Sequence, residues 1–107
     1  MRQAKILFKN EEAGLLIQHD DGSFTFRYHA IWMANNNYNG ISLTLPKTKQ
    51  DYHSKTLFPF FYNLLPEGSN KQVICKSNKI DKDDFFGILL ATATFDSIGA
   101  ITVIEIE

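Results

Sequence analysis

One cysteine, Cys75, is all the sequence offers for covalent cross-linking, so no disulfide can form within the chain. A reducing cytoplasm fits that usage. An excess of charge of one sign is also missing: 11 Lys and Arg stand against 12 Asp and Glu, for a net charge of −1. A domain that grips nucleic acid by itself carries a basic surplus, so no direct nucleic-acid binding is expected. No apolar run reaches the roughly 20 residues that span a bilayer. Met1-Arg2-Gln3-Ala4-Lys5 leads into no signal-peptide hydrophobic region, and no membrane role is expected. A Gly-rich phosphate loop is absent, as are a catalytic Asp with a following Asn and a metal-binding Asp in a kinase-like setting. His19, His29 and His53 are scattered at spacings that build no metal site, and Cys75 lacks the surroundings of a nucleophile. No catalytic residue, metal or cofactor is therefore expected.

What the sequence does hold is core material. Of 107 residues, 44% are hydrophobic, and nine Phe, four Tyr and one Trp supply bulk for an independently stable fold. No repeat, low-complexity tract or linker divides the chain, so residues 1–107 are expected to form a single domain.

The first third reads as antiparallel strands. Ile6-Leu7-Phe8 and Leu15-Leu16-Ile17 flank a turn at Asn10-Glu11-Glu12. After Asp20-Asp21-Gly22, Phe24, Phe26 and Tyr28 alternate with Thr25 and Arg27, the pattern of a strand with one apolar face. Ala30–Ala34 suits one helical turn, with Trp32 as cover for the sheet more readily than as a partner contact. Asn35–Gly40 is a loop by composition. Ile41-Ser42-Leu43-Thr44-Leu45 alternates again and is predicted as a strand stopping at Pro46, and polar Lys47–Lys55 as an exposed connection.

The second half turns helical. Leu57, Phe58, Phe60, Phe61, Leu64 and Leu65 recur at helical spacing, with Pro59 in the first turn and Pro66 as the stop. Ser69 and Gln72 have the spacing of a capping box for a helix to about Lys76. Asp81 is the predicted cap of a third helix carrying Phe85, Ile88, Leu89 and Thr92. Asp96–Gly99 is a predicted turn, and β-branched Ile101–Ile106 a final strand. The fold class this predicts is α+β: an antiparallel sheet of short strands with about three helices packed on one side.

Five segments in order resemble one known family. Ala13-Gly14-Leu15, Phe24-Thr25-Phe26-Arg27-Tyr28, Ile41–Pro46, Phe60-Phe61-Tyr62-Asn63-Leu64-Leu65-Pro66-Glu67-Gly68 and Asp96-Ser97-Ile98-Gly99-Ala100 are similar to the motifs of the N-terminal subdomain of HipA-type toxin kinases. Phe60–Gly68 matches the "FF-x-x-LLPEG" signature. Ser69 departs from the pattern, since many relatives place a bulky residue, often Trp, there; Thr94-Phe95 stands where the family often has Gly. With no kinase core in the sequence, the chain resembles the small HipS component of a HipB–HipS–HipT toxin–antitoxin system.

The resemblance implies an antitoxin or regulatory subunit that binds and inhibits a separately encoded HipT-like Ser/Thr kinase toxin. A HipB-like helix-turn-helix repressor would complete a ternary complex and make its DNA contacts. The expected partner-binding residues are Leu65, Pro66, Glu67, Gly68, Ser69 and Asn70, with Asp96 and Ser97. A turn that merely joins two helices is the plainer account of Pro66-Glu67-Gly68, and a structural turn that of Asp96-Ser97. The alternative function is a scaffold that joins the kinase to the repressor without inhibiting it.

Overall fold

The computed structural model describes residues 1–66, 68–92 and 101–106. Five strands, β1 (Arg2–Phe8), β2 (Glu11–Gln18), β3 (Phe24–Tyr28), β4 (Asp51–Ser54) and β5 (Ile101–Ile106), form one sheet in the order β4-β3-β2-β1-β5. Every pairing is antiparallel. Four helices accompany it among the described residues: α1 (Ala30–Ala34), α2 (Pro59–Tyr62), α3 (Gly68–Asn78) and α4 (Phe85–Thr92). The α+β class expected from the sequence is the one observed.

The apolar sheet face follows from the register. Ala4 stands opposite Leu16, which stands opposite Phe26, and all three are buried. Ile6 lies between Gly14 and Val103, and Gly14 faces Tyr28. A Cβ at Gly14 would come within 2.9 Å of the Phe26 ring and closer still to the Arg27 carbonyl, so only glycine lets the strands and the ring meet here. The helices reach this face through aromatic rings. Phe61 of α2 lies 5.7 Å from Phe26, Phe86 of α4 lies 6.3 Å from Phe24, and Trp32 of α1 lies 5.9 Å from Phe8. Trp32 belongs to the core and stacks on Tyr38 at 4.0 Å.

Several boundaries differ from expectation. The first turn falls at Lys9-Asn10, with φ of 51° and 69°, so Glu11 and Glu12 already belong to β2. Two consecutive left-handed residues match the twist of a tight hairpin. Ile41–Leu45 is a tight turn bridged between Ser42 and Leu45, not a strand. The buried Tyr28 hydroxyl accepts from Ile41 N–H and donates to the Leu45 carbonyl, which draws the two legs together. Gly40 permits this, since a Cβ there would meet the Leu45 carbonyl at 2.8 Å.

The stretch read as an exposed connection contains the edge strand β4. Its apolar pattern is weak because polar pairs hold it: Arg27 Nε donates to Asp51 at 2.8 Å, and Thr25 meets His53. α2 ends at Tyr62, short of the Leu65 predicted from spacing. Leu64 N–H bonds to Phe61 and Leu65 N–H to Tyr62, both at 3.1 Å, so the chain tightens into three-residue turns before Pro66. The cap of α4 is Asp84, not Asp81. Asp84 Oδ1 accepts from Gly87 N–H at 3.0 Å, while Asp81 Oδ1 closes a turn with Asp83 N–H. Arg2 Nη1 also donates to Asp84 at 2.8 Å, and its guanidinium lies 5.0 Å from the Phe86 ring, which ties β1 to α4.

Candidate partner-binding site

The junction of α2 and α3 carries most of the residues singled out in the sequence. Pro59 opens α2 at its first position, where its missing N–H leaves no bond unmade. Phe61 is wholly buried and fixes the helix to the sheet, whereas Tyr62, one residue on, is 48% exposed. Gly68 then enters α3 with φ of +60°, a left-handed conformation that costs a side-chain-bearing residue about 1–2 kcal/mol. Ser69 accordingly falls inside the first turn of α3, as its second residue, and not ahead of the helix where a capping box places it.

Leu65, Pro66 and Gly68 come together with Tyr62, Lys71 and Phe85 around a notch of about 230 Å³. Tyr62 meets Phe85 edge to face at 5.4 Å, and Lys71 Nζ lies 5.2 Å from the Phe85 ring. Its lining mixes polar surface with the Tyr62, Leu65, Pro66 and Phe85 side chains, and the Lys71 cation stands over an aromatic face. A lysine so placed favours an acidic group beside it. Asn70 is exposed on α3 and does not line the notch. Glu67, Asp96 and Ser97 lie outside the described residues, as does the turn predicted at Asp96–Gly99. Tyr62, Lys71 and Phe85 were not among the expected site residues. Tyr62 lies within the Phe60–Leu65 stretch but is not one of its stripe residues, and its 48% exposure agrees with that.

Elsewhere, polar groups serve the fold. Thr25 is buried, and its hydroxyl lies 2.7 Å from His19 Nε2 and 2.9 Å from His53 Nδ1. A hydroxyl has one proton, so it donates to at most one of the two rings and accepts from the other. His29 Nδ1 accepts from Ile31 N–H and caps α1. Thus two of the three histidines, read as unrelated in the sequence, share one partner. The Arg27 hydrogen bond, reinforced by its charge, holds the Asp51 carboxyl below its ordinary pKa. Burial pushes the Tyr28 phenol above its ordinary range. A hydrogen bond to the Glu11 carboxylate does the same to Tyr38. Among the described residues, no group of three or more His, Cys, Asp or Glu is placed to hold a metal ion. Among them too, no helix is long and apolar enough to cross a membrane.

An antiparallel five-stranded sheet accompanied by four helices among the described residues defines a domain of the α+β class. Residues 4–104 match the model of the HipA N-terminal domain family, and the chain belongs to that family. It is similar over its full length to a solved N-terminal domain of HipA toxin, with 33% identity, 94% of that chain covered and a TM-score of 0.71. An uncharacterized protein of Haemophilus influenzae is 36% identical over 98% of this chain and 93% of its own length. The "Putative kinase Y4mE" of Sinorhizobium fredii is 26% identical over 83% of this chain but only 21% of its own length.

Proposed function

We propose that this chain is an antitoxin-type regulatory subunit that binds a separately encoded HipT-like Ser/Thr kinase and holds it inactive. One observation carries the proposal. The family domain makes up nearly all of the Haemophilus protein, with 93% covered, and 21% of the Sinorhizobium kinase-type protein. A domain that occurs both fused to a longer chain and nearly alone is suited to making the fused contact in trans. Separate chains make that contact depend on concentration, which permits regulation.

The residues proposed to meet the kinase are Leu65, Pro66, Glu67, Gly68, Ser69 and Asn70, joined by Asp96 and Ser97. Tyr62, Lys71 and Phe85 extend that surface. Docking beside the active-site cleft, with the 65–70 segment acting sterically, accords with Ser69, whose small side chain buries little apolar area as a plug. The chain itself contributes binding and no chemistry. A HipB-like helix-turn-helix repressor completes the complex and contacts DNA, and the setting is the cytoplasm.

The test is purification with the adjacent kinase and a phosphorylation assay with and without this chain. Loss of phosphorylation on adding the chain is the expected result. A stable complex with undiminished phosphorylation would instead establish the scaffold role.

A further inference from the structure

Leu43 is 99% exposed, the most exposed of the large apolar residues described. A single exposed leucine is ordinary on a protein surface. What sets this one apart is how firmly its backbone is tied. Ile41 and Leu45, the legs of the turn, are buried at 8% and 2% exposure. The Tyr28 hydroxyl bonds both legs. Leu45 N–H donates to the Ser42 carbonyl at 3.1 Å, and Thr44 N–H donates to Ser42 Oγ at 3.2 Å. Behind the turn, Lys47 Nζ donates to the Asn35 and Tyr38 carbonyls at 2.7 Å each. The fold spends buried hydrogen bonds on holding an apolar side chain out in water.

Such a stud suits an apolar pocket in another molecule. Its backbone is ordered before contact, so little freedom is lost on docking. Beside it lies an open depression of about 930 Å³ whose lining includes Met33, Tyr38 and Pro46, giving a partner room to surround the leucine.

Three occupants differ in fit. A second copy of this chain fits poorly, because exchanging one leucine each way falls far short of the roughly 800 Å² per partner that a specific interface buries. A lipid surface fits poorly as well, because the tip offers one apolar residue between Ser42 and Thr44, and interfacial binding scales with buried apolar area. A kinase-type polypeptide fits. In the Sinorhizobium relative, a putative kinase, the matched region is 21% of a longer chain, so the family domain occurs joined to further polypeptide against which such a stud can dock.

We propose that the Ser42–Leu45 turn inserts Leu43 into an aliphatic pocket of the kinase partner and supplies affinity, while the 65–70 segment supplies inhibition. This rests on the kinase-binding role proposed above, and it divides that role between two surfaces.

The experiment is calorimetric titration of the purified adjacent kinase with the full chain and its Leu43→Ser and Leu43→Met variants. Urea unfolding is measured alongside. Because the side chain touches solvent, both variants unfold at the wild-type midpoint. Leu43→Ser weakens binding by about tenfold or more, equivalent to about 1.4 kcal/mol. Leu43→Met, of similar volume, stays within about threefold of wild type. At saturating concentration Leu43→Ser still suppresses phosphorylation, which separates docking from inhibition. Equal binding of wild type and Leu43→Ser overturns the stud and leaves the kinase-binding role standing. Failure of the wild type to bind removes both. Leucine-dependent self-association in sedimentation, or leucine-dependent pelleting with vesicles of phosphatidylcholine and phosphatidylserine, assigns another occupant and also overturns the proposal.

Discussion

Replacing Tyr28 with phenylalanine deletes one oxygen atom and leaves the ring in place. The ring contact with Phe26, 4.8 Å between centroids, is retained. What goes is the acceptor for Ile41 N–H at 2.9 Å and the donor to the Leu45 carbonyl. Tyr28 is fully buried, and Ile41 and Leu45 nearly so, so water does not readily replace the hydroxyl. Stranding a buried polar group costs about 1–3 kcal/mol. With a donor and an acceptor both affected, the expected loss is about 2–4 kcal/mol. With a urea m-value of roughly 1.5 kcal/mol/M, the unfolding midpoint falls by more than about 1 M while the slope stays fixed.

Alkaline titration supplies an independent check on the same group. Burial raises the folded-state pKa of Tyr28 above its unfolded value. Its contribution is therefore complete below the unfolded phenol pKa and drains away as pH climbs through the folded one. The variant lacks that component, so the stability gap between the two proteins narrows at high pH. A midpoint shift below about 0.3 M in urea, or a gap that stays constant into the alkaline range, refutes the assignment of Tyr28 as the tie between the turn's legs.

Asp84→Ala removes the α4 cap and the acceptor for Arg2, and costs about 1–2 kcal/mol by urea unfolding. Most of this comes from the cap, because the ion pair is partly exposed and screened, so the loss persists in high salt. Gly68→Ala meets open space but a left-handed backbone, so it costs about 1–2 kcal/mol; Gly68→Asn, which tolerates that conformation, costs less in the same assay. The double variant Glu67→Ala with Ser69→Ala is expected to weaken kinase inhibition more than alanine changes across Asn35–Asn39 do. Equal inhibition curves for the two sets count against the 65–70 segment.

The alternation of Phe24, Phe26 and Tyr28 made β3 legible, because a strand buried on one face must repeat with a period of two. Ile41–Leu45 shows the same alternation and became a turn. There the deciding contact is the Tyr28 hydroxyl, 13 positions away from Ile41, which no local pattern reports. β4 escaped notice for the opposite reason. An edge strand paired on one side needs little apolar character, and its support comes from Arg27 and Thr25 on a neighbour distant in sequence. The helical stripe located α2 but overstated its length, since apolar spacing records which side is buried and not where three-residue turns replace the helix. At the site, motif similarity reached Leu65, Pro66 and Gly68. Lys71 and Phe85 join them only through folding, across the α3–α4 packing.

The pairing of β1 carries a consequence for biosynthesis. Gln3 of β1 finds its cross-strand neighbour in Ile106 of β5, far along the chain. Until the last strand emerges, β1 is paired with β2 alone and its other edge stays unzipped. An unprotected edge of this kind recruits foreign strands. A nascent chain stalled before residue 101 thus exposes a sticky flank along β1, and the hazard ends when β5 closes it.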